Sequence, residues 1–190
     1  MPHEGAGRGG EAQRSARETA AQMEPTRWLL EHEHLLPRAG DALDVACGRG
    51  RNALWLAGRG LRTRALDRDA AAVEFLGREA ARRRAPVVAE VANLESDGVA
   101  FGADAYDVIV VVHYLHRPLF PALKAALRPG GLLVYETFTR GQEERGHPRN
   151  PAFLLEHGEL RELVQPLEIV VEREGDFDGK LLASVIARRS

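Results

Sequence analysis

Asp44 stands two residues before a glycine-bearing turn, Ala46-Cys47-Gly48-Arg49-Gly50, which runs straight into Arg51-Asn52 and a helical pattern. A second carboxylate, Asp67, closes the next apolar run, Leu61 to Leu66. Glycines between a strand and a helix N-terminus let the backbone approach a ligand closely, and an acid ending the following strand suits a ribose diol. These residue types in this order read as a nucleotide site; a glycine turn with no ligand role is the competing reading. His113 directly follows the apolar run Tyr106–Val112 and suits a proton acceptor or positioning group, or else a strand-capping histidine. His116 and Arg117 precede Pro118, where a helix N-terminus plus a guanidinium would favour an anion. Thr137–Pro151 is long for a connection and reads as a lid or acceptor loop, carrying Arg140, Arg145, His147, Arg149 and Asn150 just after Glu136. Glu136 suits a cationic acceptor or an arginine partner. Cys47 reads as a small packing residue, and His32, His34 and His157 form no convincing metal set, so no metal is expected.

Placing these residues requires alternating elements. The pattern predicts strands at Ala42–Ala46, Arg62–Leu66, Val87–Val91, Tyr106–Val112 and Leu132–Glu136, whose continuous apolar character suits strands buried on both faces. Helices are expected at Asn52–Arg59, Ala70–Arg84 and Pro118–Leu127, stopped by Gly58 and Gly60, by Pro86, and by Pro129-Gly130-Gly131. Strand–helix alternation argues for an α/β fold with a mostly parallel sheet covered on both sides. Leu167–Glu172 and Leu181–Arg188 follow with only a Gly/Asp-rich connection between them, an antiparallel hairpin that brings the sheet to seven strands. Pro25–Leu36, with Trp28, Leu29, Leu35 and Leu36, is expected as one helix at the edge of the core or cofactor pocket. Residues 1–24 read as a glycine-rich flexible tail, partly helical over Glu11–Met23, and 25–190 as a single domain.

The 190 residues carry 26 basic and 28 acidic side chains, a net charge of −2. That balance gives no general attraction to nucleic acid. Only Lys124 and Lys180 are lysines, and the one arginine run, Arg82-Arg83-Arg84, falls where it complements a helix C-terminus. There is no apolar run of membrane-spanning length and a single cysteine, so a cytoplasmic protein is expected, acting on a small molecule as a monomer or homodimer.

Two nucleotides compete for the turn. Gly48-Arg49-Gly50-Arg51-Asn52-Ala53 fits the dinucleotide pattern, which leaves an NAD-linked oxidoreductase open. Three features favour S-adenosylmethionine (SAM). Asp44 is unfavourable beside a pyrophosphate but suits the ammonium of SAM. The chain ends in a hairpin rather than further strand–helix units. Ala126-Leu127-Arg128-Pro129-Gly130-Gly131-Leu132 gives a helix end, a sharp turn and a strand.

On these residues the chain resembles the class I SAM-dependent methyltransferases. Asp44-Val45-Ala46-Cys47-Gly48-Arg49-Gly50 is similar to their D-x-G-x-G-x-G loop, with Ala46 at the first glycine. Leu66-Asp67-Arg68-Asp69 resembles the strand-two acid, Val91-Ala92-Asn93-Leu94-Glu95 the strand-three ending that holds adenine, with Asn93 for Asp, and Tyr106–His113 strand four and its exit. Cys47-Gly48-Arg49-Gly50-Arg51-Asn52 with Leu56-Ala57 is similar to the loop of the tellurite-resistance methyltransferase group. The resemblance covers roughly residues 25–190. It implies a three-layer Rossmann-like methyltransferase fold and SAM as cofactor, with S-adenosylhomocysteine (SAH) as product. It further implies cofactor contacts from Asp44, Ala46, Cys47, Gly48, Gly50, Arg51, Asn52, Asp67, Arg68, Asn93, Leu94, Val111 and His113. Catalysis is then expected from His113, His116 and Arg117, and acceptor binding from Tyr114, Arg117, Glu136, Arg140, His147 and Arg149. An anionic acceptor, such as a tellurium or selenium oxyanion, a thiol or a carboxylate, would meet a basic rim of Arg117, Arg140 and Arg149. A SAM-binding sensor without turnover is the alternative from another class.

Overall fold

The computed structural model describes residues 23–96 and 100–190. The expected N-terminal tail, its partial helix, and thus nearly all of segment 1–24 lie outside them. Seven strands form one sheet: β1 Gly40–Val45, β2 Leu61–Asp67, β3 Val87–Val91, β4 Tyr106–Val112, β5 Leu127–Phe138, β6 Glu168–Phe177 and β7 Lys180–Arg188. Their order is β3-β2-β1-β4-β5-β7-β6. The first five run parallel, and β7 pairs antiparallel with both β5 and β6. The expected seven-stranded sheet with an appended hairpin is therefore present. Strand order reverses between β1 and β4, and the carboxyl ends beside that switch point form the natural crevice for a ligand.

Among the described residues, six α-helices connect or cover the strands: α1 Arg27–Glu31, α2 Arg51–Gly58, α3 Ala70–Arg83, α4 Phe120–Ala126, α5 Gln142–Arg145 and α6 Glu159–Leu163. The period-two alternation of β4 divides the core. Val108, Val110 and Val112 join Trp28, Leu29 and Leu56 on one face, while Ile109 and Val111 join Phe120, Leu123 and Tyr135 on the other. In β1, Ala42 belongs to the first set and Leu43 and Val45 to the second, so the same alternation turns Asp44 toward the α2 side. Helix α3 is capped by Asp69, whose carboxylate accepts from the amides of Ala71 at 2.9 Å and Ala72 at 3.2 Å. At its other end Arg82 and Arg83 pair with Glu79, which accounts for the arginine run within the helix itself.

Three expectations change. The helix over Pro25–Leu36 is two pieces, α1 and a 3₁₀ turn at Glu33–Leu35. His32 leaves helical geometry between them, and its Nδ1 lies 3.0 Å from the Trp28 carbonyl oxygen. Strand β3 is not buried on both faces: it is an edge strand, with Val88 62% and Val91 58% exposed. Pro129-Gly130-Gly131 lies within β5, where the pairing with β4 shifts register between Tyr106 and Val108.

Candidate active site

The loop from β1 to α2 places Ala46, Gly48 and Gly50 in the left-handed region, with φ of 56°, 52° and 79°. Ala46 adopts this conformation without being glycine, at a cost of roughly 1 kcal/mol. The turn is closed by Gly50 N–H to the Cys47 carbonyl at 2.9 Å and by Leu54 N–H to the Gly50 carbonyl at 2.9 Å. Its two glycines do different work. A Cβ on Gly50 would lie 2.2 Å from Leu76 Cδ1, so that glycine lets α2 close onto α3. A Cβ on Gly48 would meet nothing within 4 Å, so that one faces open space.

Asp67 ends β2 beside this loop. Its Oδ2 accepts from Gly48 N–H at 2.7 Å and its Oδ1 from Asp69 N–H at 2.9 Å, leaving lone pairs on both oxygens. Asp44, 1% exposed, is stranger: its Oδ2 is buried with no partner among the described residues. Burial pushes this carboxyl up to about 7; the Ala53 amide and Arg51 oppose the shift and Asp67 adds to it. Such an orphan is matched by a positively charged or hydrogen-bond-donating group of a ligand. Cys47 packs with Ala53, Leu54 and Leu76, and burial raises its thiol far above the reactive range.

Two cavities flank His113. The first, about 340 Å³, lies between Ala46, Asp67, Arg68, Asn93, Leu94 and Glu95 on one side and Tyr114, Leu115, Phe138, Pro148 and Phe153 on the other. The second, about 400 Å³, is lined by Thr26, Arg51, Glu136, Arg173, Phe177 and Lys180 among others. His113 belongs to both walls. Its backbone is left-handed, φ 57°, and its N–H donates to the Glu136 carbonyl at 2.8 Å. Its ring stacks on Phe138 at 4.7 Å between centroids. Crowding by the cavity walls, aided by Arg51 and Lys180 and opposed by Glu136, holds the imidazole below its ordinary range, at about 4. The Tyr114 hydroxyl is buried without a partner among the described residues, and burial pushes the phenol up to about 12.

The expected basic rim is not present. Arg117 forks onto Glu159, at 2.5 and 2.8 Å, and donates to the carbonyls of Ala152 and Leu154, both at 3.0 Å. It ties the β4 exit to the segment before α6 and is spent there. Arg140 sits between Glu143 at 3.6 Å and Glu156 at 3.7 Å, outside both cavities. His116, His147 and Arg149 line neither cavity. Val111 and Asp44, each 1% exposed, line neither cavity; Val111 packs its side chain into the sheet core, while Asp44 stands two residues before the glycine loop. Asn93 Oδ1 accepts from Glu95 N–H at 3.1 Å, which engages the oxygen expected to face adenine and leaves the amide donors free.

Asn52 and Glu136 are engaged within the protein, Glu136 by an arginine from β6 rather than from the long loop. Asn52 Oδ1 accepts from Thr26 N–H at 2.9 Å. Glu136, 3% exposed, accepts from Thr26 Oγ1 at 2.7 Å, Ser184 Oγ at 2.8 Å and Arg173 at 3.3 Å. Arg173 also lies over the rings of Trp28, at 4.5 Å, and Phe177, at 4.1 Å. Together these residues lash the segment before α1 across the sheet and wall off the second cavity. Thr26, Arg173, Phe177 and Lys180 were not singled out from sequence; their one signal is the polar Glu136 and Ser184 on facing, otherwise apolar strands.

A methyltransferase domain family model matches residues 42–131, from the start of β1's apolar run to the β5 turn. Among solved structures, the chain is similar to a TehB-like SAM-dependent methyltransferase from Corynebacterium glutamicum, 19% identical with a TM-score of 0.68 over 95% of this chain and 97% of that one. It is also similar to geranyl diphosphate C-methyltransferase from Streptomyces coelicolor, 17% identical with a TM-score of 0.68 over 92% and 82%, a structure that contains SAH. The fold is that of the class I SAM-dependent methyltransferases, and residues 42–131 match a methyltransferase domain. A curated relative, Hemagglutinin 1 of Eikenella corrodens, is 28% identical over 138 residues, 70% of this chain. The chain spans about half the length of that relative, 45% of which it matches. Among the described residues, no helix is long and apolar enough to cross a membrane and no cluster suits a metal ion.

Proposed function

We propose that the protein transfers the methyl group of SAM to a small-molecule acceptor. The observation that carries this reading is two carboxylates at the glycine loop: Asp67, on the first cavity and holding Gly48 N–H, and the buried Asp44, with one oxygen unpartnered among the described residues. One acid suits the ammonium of SAM and the other its ribose diol, whereas a pyrophosphate would meet two carboxylates. Arg51, on the second cavity, suits the cofactor's carboxylate. Asn93, Leu94, Tyr114 and Leu115 provide the pocket for its base. When bound, SAM supplies an activated methyl group. The protein's own part is to hold the acceptor atom in line and to exclude water, which the loop 137–155 supports by its fixed position. That loop is pinned by Arg140 N–H to the Leu155 carbonyl and Leu155 N–H to the Phe138 carbonyl, both 2.9 Å. His113, at the junction of the two cavities, is the residue assigned to face the reacting atoms.

Titration calorimetry tests this reading. SAM and SAH should bind and NAD should not, and Asp67→Ala should weaken SAH binding roughly 10- to 100-fold through lost charge-assisted hydrogen bonds. NAD binding without SAH binding would sink the assignment. SAH binding with no methyl transfer to any oxyanion, thiol or carboxylate would instead favour a sensor.

A further inference from the structure

We propose that the second cavity is the acceptor site and that it takes a small organic carboxylate, held by Lys180. This inference rests on the methyltransferase reading above and adds the acceptor's chemistry and place.

Four cations line the cavity, and two of them are already engaged. Arg27 pairs with Glu31 at 2.7 Å and Asp178 at 3.2 Å. Arg173 pairs with Glu31 at 3.0 Å and Glu136 at 3.3 Å. Arg51 and Lys180 make no ion pair with any described residue. Arg51 opens α2, directly after the glycine loop, and goes to the cofactor's carboxylate. Lys180 starts β7, paired across the hairpin with Phe177, and is left for the acceptor.

The wall's acids offer little competition. Both oxygens of Glu136 are taken by Thr26, Ser184 and Arg173. Asp176 pairs with Arg145 and accepts from Gly179 N–H. Asp178 is held by Arg27, which leaves Glu24 at the exposed end of the wall. A cavity with a spare cation and satisfied acids draws an anion. Phe177, Pro25 and Leu182 add an apolar surface, which suits an organic body and has nothing to offer an inorganic oxyanion.

His113 narrows the acceptor further. Its imidazole is neutral at pH 7 and a weak base, so it is poorly placed to deprotonate an alcohol or thiol. A carboxylic acid with an ordinary pKa near 4 arrives already ionised. One carboxylate oxygen forms the new C–O bond as the carbon–sulfur bond of SAM breaks, its electron pair passing to sulfur. A methyl ester and SAH result, and no proton changes hands. Neutral His113 then packs against the reacting atoms without adding a charge that would repel the sulfonium.

The test uses the full chain saturated with SAH. Benzoate and hexanoate are titrated against it by calorimetry, with benzamide and hexanamide as neutral matches. The carboxylates should bind at least roughly tenfold more tightly than the amides, and Lys180→Met should remove about that factor, while Lys180→Arg keeps most of it. With methyl-labelled SAM the same acids should yield methyl esters, and Lys180→Met should raise their KM. Amides binding as well as acids, no effect of Lys180→Met, or label passing to selenite or to thiols in preference to carboxylates would each overturn the proposal. In those outcomes SAH still binds, so the methyltransferase reading stands; if SAH does not bind, that reading falls first and takes this one with it.

Discussion

The two cavities on either side of His113 are built by opposite means. The first is walled mainly by residues at the carboxyl ends of parallel strands, with Pro148 and Phe153 added from the long loop, and more than half its lining is apolar or aromatic. The second is walled by side chains from segments more than 100 residues apart, Thr26 and Glu136 among them, and its lining is dominated by charge. One is shaped by backbone, and side-chain changes should alter what it binds. The other is shaped by a side-chain network, and its changes should alter whether the wall stands at all.

The largest effect should come from the glycine loop, where the contrast can be broken by two identical replacements. Gly50→Val drives a Cβ into Leu76 at a left-handed φ and should cost about 3 kcal/mol or more of stability, read by urea denaturation. Gly48→Val meets no neighbour and should cost only about 1–2 kcal/mol, while abolishing SAH binding by filling the open side of the loop. Equal destabilisation by the two would remove the distinction drawn between them.

Next comes the network of the second wall. Glu136→Ala leaves Arg173, Thr26 and Ser184 without their buried acceptor and should destabilise by about 3 kcal/mol, with Glu136→Gln losing less. A loss of unfolding free energy below about 0.5 kcal/mol, read by urea denaturation, would show that the strap does not depend on this carboxylate.

The acid under the glycine loop gives a pH signature. Asp44's carboxyl is raised to about 7 in the folded protein, so the stability it contributes is full below about pH 4 and is lost as pH rises toward 7. A cationic ligand group needs the ionised form, so binding below pH 7 must release a proton. SAH affinity should fall by up to roughly tenfold per unit below pH 7, with one proton released at pH 6, and Asp44→Asn should remove that dependence. His113 works in the other sense: held at about 4, its neutral form contributes stability above about pH 6.5 that is lost as pH falls toward 4. Calorimetry in buffers of different ionisation enthalpy separates the two; no proton release at pH 6 would count against an ammonium next to Asp44.

The smallest effects should fall on the arginines of the long loop. Arg149→Ala should change stability by less than about 0.5 kcal/mol and leave the acceptor KM unaltered, because Arg149 is exposed and lines neither cavity. A several-fold rise in KM would restore the basic rim that the sequence implied.

The glycine loop and the acid beside the first cavity are legible because their chemistry lies within short windows. Asp44 to Asn52 carries strand, turn and helix start together, and Asp67 follows at the next strand end, so periodicity and glycine placement locate both. β3 and β4 were read with their observed limits for the same reason. What failed was anything decided by partners distant in sequence. Arg117 and Arg140 look alike on paper, two free cations in a functional stretch, until the fold brings Glu159 beside the first and Glu156 beside the second, whose other partner, Glu143, is only three residues away. Glu136 was seen, but its three partners lie 37 to 110 residues away, and no local pattern announces them. Val111 reads from sequence as a ligand contact because it stands one residue short of the end of β4, where its side chain instead turns into the core.

Strand β3 carries a consequence of another kind, for how copies of the molecule behave in concentrated solution. Among the described residues its outer side has no strand partner, and Val88 and Val91 stand mostly in water, with the Arg64–Glu90 pair close by to repel an approaching strand. The opposite edge, β6, is studded with Glu168, Glu172, Arg173 and Glu174 and is guarded by charge. Colloidal stability is therefore lopsided. Turbidity on storage or heating should start at the β3 side, and Val88→Lys should delay it while Arg161→Ala, beside β6, should not; equal delays would place the sticky surface elsewhere.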